Sequence, residues 1–230
     1  MSLAVWLILV SLATIPPALL IERRLLAASR ADWGRRWLNM LDGANRLFCH
    51  RFHRLQPVQV PLPARGAALV VANHVSGLDP LLMIAACHRP LRFLIAREQY
   101  RRFGLQWLFR AVGCIPVERD GNTHRALAAA RRALQRGEVV ALFPQGRIHL
   151  DHEPPARLKR GILHLARFSG APVVALRIDG VGGTGHTLRA VALRSHARLT
   201  VFPALYHDAQ DPQRLLESLA RRIGRAEPQA

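Results

Sequence analysis

The chain has 230 residues, a formal net charge of +18, and a composition that is half hydrophobic. An apolar fraction this high excludes a disordered basic tail. The charge points to a folded protein that meets an anionic surface: phospholipid headgroups, nucleic acid or an acidic carrier. The three cysteines, Cys49, Cys87 and Cys114, are odd in number and show no Cys-x-x-Cys spacing, which excludes a disulfide framework and a zinc finger, so no metal is expected.

The first element is the apolar run from Leu3 to Ile21, closed by Glu22-Arg23-Arg24. It is about long enough to cross a hydrocarbon core of ~30 Å. No Lys or Arg precedes it, which argues against a secretory signal. The basic residues that follow it keep the remainder on the cytoplasmic side of the cell membrane. Pro16-Pro17 interrupts the run, so a hairpin lying in one leaflet stands beside a full span, with a buried core helix as the plain alternative. Asp32 to Leu55 reads as a second helical region. Trp33, Trp37, Leu41, Leu47, Phe48, Phe52 and Leu55 form its apolar side, and Arg35, Arg36, Arg46, Arg51 and Arg54 fill the gaps. Tryptophan opposed by arginine suits an interfacial helix; a domain-packing helix with a solvated basic face is the alternative. The Pro-rich stretch after Gln56 closes an N-terminal membrane-associating region, residues 1–56, and leaves 57–230 as the main domain.

From Ala67 onward strands and helices alternate. Strands are expected at 67–72, 92–96, 114–117, 139–143, 173–178, 188–193 and 199–202, and helices at 80–88, 105–112, 123–136, 158–169 and 212–224. The fold class is α/β: a mixed, mainly parallel sheet flanked by helices.

The first strand delivers Asn73-His74-Val75-Ser76-Gly77-Leu78-Asp79-Pro80 into a loop. Asp79 reads as the N-cap and Pro80 as the first residue of the next helix. A neutral imidazole at His74 can take a hydroxyl proton, while the Asp79 carboxylate fixes its tautomer. The bland reading is a polar loop residue beside a helix cap. Downstream, Gly113-Cys114-Ile115-Pro116-Val117-Glu118-Arg119 ends a short strand in an arginine. Phe143-Pro144-Gln145-Gly146-Arg147 ends another apolar strand in a Gly-Arg loop. In a parallel sheet these loops leave one edge together, setting His74 beside Arg119 and Arg147, a base beside two guanidiniums that suits a phosphorylated alcohol. For Arg119 a surface salt bridge is the alternative.

In order and spacing these segments resemble the glycerolipid acyltransferase family, the lysophosphatidic-acid (1-acylglycerol-3-phosphate) acyltransferases. The Asn-His-x4-Asp block is matched by Asn73, His74 and Asp79, and the Gly-x-Ile-x-x-x-Arg block by Gly113, Ile115 and Arg119. The Phe-Pro-Glu-Gly-Thr-Arg block is matched at Phe143, Pro144 and Gly146. There Gln145 replaces the glutamate and Arg147 follows the glycine directly. The fourth block is reduced to Pro172-Val173-Val174, and the likeness covers roughly residues 65 to 180. The resemblance implies that His74 and Asp79 are catalytic and that Asn73, Gly113, Arg119, Phe143, Pro144, Gln145, Gly146 and Arg147 bind substrate. It implies an acyl-CoA or acyl-carrier-protein co-substrate without other cofactor, a lysophospholipid acceptor, and attachment to the inner membrane on its cytoplasmic face. Another lyso-lipid, such as a lyso-ornithine lipid or a lysophosphoglyceride, is the rival acceptor. A non-catalytic basic protein on membrane or nucleic acid is the rival class; no nucleic-acid partner is expected.

Gly180-Val181-Gly182-Gly183-Thr184-Gly185 formally matches a dinucleotide fingerprint. The residues after it read as a strand, which leaves a pyrophosphate no helix N-terminus, so the segment is expected to be a flexible connection. No Gly-x-Ser-x-Gly elbow, Walker loop or His-Glu-x-x-His occurs.

Overall fold

The computed structural model describes residues 17–102, 104–118 and 123–224. Its centre is a six-stranded sheet of β1 (Ala68–Ala72), β2 (Leu91–Ala96), β3 (Ile115–Val117), β4 (Val139–Leu142), β5 (Val173–Asp179) and β6 (Arg198–Val201). The order is β3-β2-β4-β1-β5-β6. All neighbours pair in parallel except β5 with β6. β1 and β4 are apolar at every position because both faces of a parallel sheet are covered. Alternate residues of β1 feed two cores: Val70 and Ala72 face one side, Leu69 and Val71 the other. β3 carries Pro116 and lies at the edge, where a strand can lack a backbone donor.

Helix α1 occupies 17–28 of the described residues. Beyond it come α2 (Arg36–Arg51), α3 (Asp79–Ala86), α4 (Arg97–Tyr100), α5 (Gln106–Ala111), α6 (His124–Gln135), α7 (Gly161–Ser169), α8 (Leu188–Ala192) and α9 (Pro212–Ile223). α3, α8 and the end of α2 share one core with one face of the sheet, while α6, α7 and α9 cover the other face. α9 starts as its sequence dictates, with Pro212 in the first turn and the Asp211 side chain accepting from the Arg214 N–H at 3.1 Å.

The expected α/β alternation holds, with one element reversed. Leu188–Ala192 form helix α8 with Leu193 as its C-cap, not a strand, and the partner that β5 takes on its free side is β6. Within α8 only Ala190 is buried.

The N-terminal run from Leu3 falls mainly outside the described residues. Among those described, no helix is long and apolar enough to cross a membrane. The second helical region is α2, and it is bolted to α3. Arg46, expected on a basic outer face, is 4% exposed. Its Nε donates to Asp42 at 2.7 Å, and its terminal nitrogens donate to the carbonyls of Ala85 and Cys87 at the end of α3. Asn45 adds a bond to the Leu81 carbonyl at 2.9 Å. Asp42 also accepts from the Ser29 hydroxyl and the Arg30 N–H, tying the turn after α1 to the same knot. α1 crosses α2 so closely that a Cβ on Gly43 would stand 1.7 Å from the Leu25 carbonyl oxygen.

Candidate active site

β1 and β4 are adjacent and parallel, so the loops that follow them leave the sheet at one edge. Asn73 continues the ladder past the end of β1. Its Nδ2 donates to the Ile178 carbonyl at 2.9 Å, and its Oδ1 accepts the Ile178 N–H at 2.7 Å. Both ends of the amide are thus engaged by β5. The side chain, 1% exposed, tethers the loop instead of facing a ligand.

His74 follows, and its Nδ1 lies 2.8 Å from Asp79 Oδ2. The same oxygen accepts the N–H groups of Val75 at 2.7 Å and Ser76 at 2.8 Å, while Oδ1 accepts the Ser76 hydroxyl at 2.7 Å. Asp79 is the first residue of α3, with Leu78 at the N-cap position. Its carboxylate therefore serves the preceding loop and not its own helix. A carboxylate only accepts, so Nδ1 carries the proton and Nε2 of the neutral ring keeps its lone pair. Among the described residues Nε2 makes no hydrogen bond. The Phe143 ring stacks on the imidazole at a centroid distance of 4.1 Å and 14° between planes, fixing its tilt. With the His74 side chain 19% exposed and Asp79 fully buried, the arrangement is a base held from behind and open on one nitrogen.

The loop after β4 braces the histidine's backbone. Gln145 Oε1 accepts the His74 N–H at 2.9 Å, and the His149 N–H donates to the His74 carbonyl at 2.7 Å. The Pro144 carbonyl accepts from the Lys159 N–H at 2.8 Å, and the Lys159 side chain lies over Gly146. Arg147 pairs with Glu153, 3.1 Å distant, with its side chain 66% exposed. The neighbouring Arg177 on β5 reaches back to Asp151 at 2.6 Å and so secures the far end of this loop.

The residues expected from the second block are divided. Gly113 precedes β3 and so lies at the opposite edge of the sheet from His74. There it lines a cavity of about 440 Å³ with Arg92, Arg132, Arg136 and Glu138. β3 ends at the edge that carries His74, but three strand spacings, ~14 Å, separate it from β1. Arg119 lies outside the described residues. Glu118 just before it is paired with Arg97.

Ser76 and His149 join the site without being expected from the sequence, and so does the Gly180–Gly185 segment, expected to be a flexible connection. Ser76 at three residues before Asp79 carries a visible signal, because its hydroxyl caps the same carboxylate. The glycine-rich segment is no loose connection: Gly185 N–H donates to the Val75 carbonyl at 2.8 Å, and the His186 carbonyl accepts from the Gly77 N–H at 3.2 Å. It walls the histidine loop. The helix behind it, α8, has only five residues.

The family model described as Acyltransferase matches residues 51–179, which contain every block of the site. The chain is 32% identical over 139 residues to a protein of Mycoplasma pneumoniae described as a probable 1-acyl-sn-glycerol-3-phosphate acyltransferase, covering 57% of this chain and 50% of that one. It is 32% identical over 130 residues to the N-acylphosphatidylethanolamine synthase of Arabidopsis thaliana, covering 52% and 44%. The chain thus spans about half the length of the curated relatives it matches. The fold is that of the 1-acyl-sn-glycerophosphate (LPA) acyltransferase PlsC from Thermotoga maritima, with a TM-score of 0.60 at 19% identity over 83% of this chain and 80% of that one. A braced histidine–aspartate pair at the strand edge, lying wholly within the matched stretch, completes the assignment: the chain belongs to the acyltransferase family.

Proposed function

We propose that the chain is a membrane-bound O-acyltransferase that moves a fatty acyl group from an acyl-CoA or acyl-carrier-protein thioester to the hydroxyl of lysophosphatidic acid. The observation that carries this reading is the 2.8 Å contact between His74 and Asp79, which leaves Nε2 as the only basic ring nitrogen open to an acceptor. Nε2 takes the hydroxyl proton as the oxygen attacks the thioester carbonyl. The tetrahedral adduct then collapses, the C–S bond breaks, and the thiolate leaves with the proton returned by His74. Asp79 stays ionised and holds the imidazolium. No covalent intermediate on the protein is needed.

Arg147 and Arg119 are the proposed ligands of the acceptor phosphate. Arg147 reaches it by exchanging its exposed bond to Glu153, a pair of the kind that contributes little on a surface. Residues 3–21 and α2 are proposed to hold the chain at an anionic membrane on its cytoplasmic face, in keeping with the exposed Leu19, Leu20 and Ile21 on α1.

The test is to incubate the purified full chain with labelled acyl-CoA or acyl-carrier protein and a panel of acceptors. The panel holds lysophosphatidic acid, lyso-ornithine lipid, a lysophosphoglyceride and, because of the plant relative, phosphatidylethanolamine. Lysophosphatidic acid is expected to be the best acceptor, and His74→Ala to lower turnover ~10²–10⁴-fold, the usual loss for a general base. Equal turnover by His74→Ala would remove the mechanism. Transfer confined to the amine of phosphatidylethanolamine would replace the acceptor.

A further inference from the structure

Around α5 the surface departs from what a packed helix presents. Trp107 is 60% exposed and Leu105 38%, and on α2 Leu41 is 45% exposed. The Trp107 ring rests on Trp37 of α2, with centroids 5.7 Å apart and 37° between planes, so the two helices share one aromatic ridge. Arg101, Arg102 and Arg110, all exposed, flank it in the sequence. Between 97 and 112 the chain carries four arginines against a single glutamate, Glu98.

We propose that α5 and the residues flanking it extend the lipid-facing side of α2 into a further lipid-contact element. Trp107, Leu105, Trp37 and Leu41 enter the headgroup–acyl boundary of an anionic bilayer, and Arg101, Arg102 and Arg110 meet lipid phosphates. Tryptophan favours that depth because its ring is apolar and its N–H is polar, and arginine bridges the same boundary with an apolar stem and a charged head. A second copy of the chain is a poor occupant, since a self-complementary contact would press these arginines against their own duplicates. Position adds a purpose, which rests on the acyltransferase reading: α4 begins where β2 ends, at the edge that carries His74. Contact through the segment from α4 to α5 would set that edge at the lipid surface from which an acceptor must come.

The test is flotation of the full chain with vesicles of phosphatidylcholine alone or mixed with phosphatidylglycerol. Leu105→Ser/Trp107→Ser should lower the partition coefficient ~10-fold on mixed vesicles. Arg101→Ala/Arg102→Ala/Arg110→Ala should lower it by a similar factor on mixed vesicles only, with the difference fading as salt is raised. All five side chains are exposed, and an unchanged circular-dichroism melt checks that each variant is folded. Unchanged partition in both variants would overturn the proposal. So would a concentration-dependent dimer abolished by Leu105→Ser/Trp107→Ser while vesicle binding persists, which would make the ridge a self-association surface. Turnover of a short-chain acceptor kept below its micellar concentration separates this proposal from the activity. Absent turnover in the wild type would sink the acyltransferase reading, and the flotation result would still decide the ridge.

Discussion

Gly77 stands against the backbone of Thr187: a Cβ at Gly77 would come within 2.3 Å of the Thr187 carbonyl oxygen and 2.7 Å of its α-carbon. The contact joins the histidine loop to the glycine-rich wall behind it, and neither backbone can yield alone because the same two segments exchange hydrogen bonds. Gly77→Ala should therefore push the wall outward, costing about 1–3 kcal/mol of stability as overpacking does. Displacement of the loop should lower turnover by up to ~10²-fold. A thermal melt and an acyl-transfer assay check both; wild-type values in each would show that the loops are free to part.

Gln145 stands where the family's glutamate is expected, and the structure gives the amide oxygen a task that either residue performs: accepting the His74 N–H. Gln145→Glu should leave turnover within a few-fold of the wild type. Gln145→Leu should orphan that N–H, at about 1–3 kcal/mol, and loosen His74. A kcat ratio that falls for the glutamate variant as much as for the leucine variant would assign the amide N–H, and not the oxygen, to function.

Arg46 and Asp42 form a buried ion pair that also holds the last carbonyls of α3, the helix whose first residue is Asp79. Removing one partner of such a pair leaves a buried charge, so Arg46→Met should cost about 3–5 kcal/mol. At about 2–4 °C per kcal/mol for a chain of this length, Tm should fall by roughly 6–20 °C. Differential scanning calorimetry measures it, and a shift under ~3 °C would mean that the knot is solvated.

His53 is fully buried, edge-on to the stacked Phe48 and Phe52 rings, with Nδ1 3.1 Å from the Ser195 hydroxyl. Burial holds its imidazole below the ordinary histidine value. The unfolded chain therefore binds a proton near pH ~6.5 before the folded protein does. The sign follows: stability is full above that pH, falls as pH drops through it, and levels off only when the folded imidazole also protonates. Urea midpoints from pH 8 to 5 should decline more steeply for the wild type than for His53→Gln. Parallel declines would place the acid sensitivity elsewhere.

The buried strands β1 and β4 announce themselves as unbroken apolar runs, and His74 with Asp79 is close enough in sequence for the pairing to be local. Arg46 misleads, because helical spacing reports which side of a helix a residue takes but not whether another helix covers that side. Residues 188–193 mislead for a related reason. Their alternation suits a strand, but a strand also needs a partner, and the one that β5 takes on its free side is β6. Gly113 reads as a partner of the histidine only while its strand is treated as a point. Once direction is known, it falls at the other edge.

The sequence by itself determined the α/β class, the basic and apolar balance, and the histidine–aspartate pair, because each of these rests on composition, short-range periodicity or contacts within a few residues. Tertiary structure alone decided that Asn73 is spent on Ile178, that Gln145 and His149 brace the histidine from another loop, that Arg147 turns to Glu153, and that a glycine-rich segment over a hundred residues downstream closes the wall. Those relations depend on strand order and on which loops meet at one edge, and strand order is set by long-range packing that no local pattern encodes.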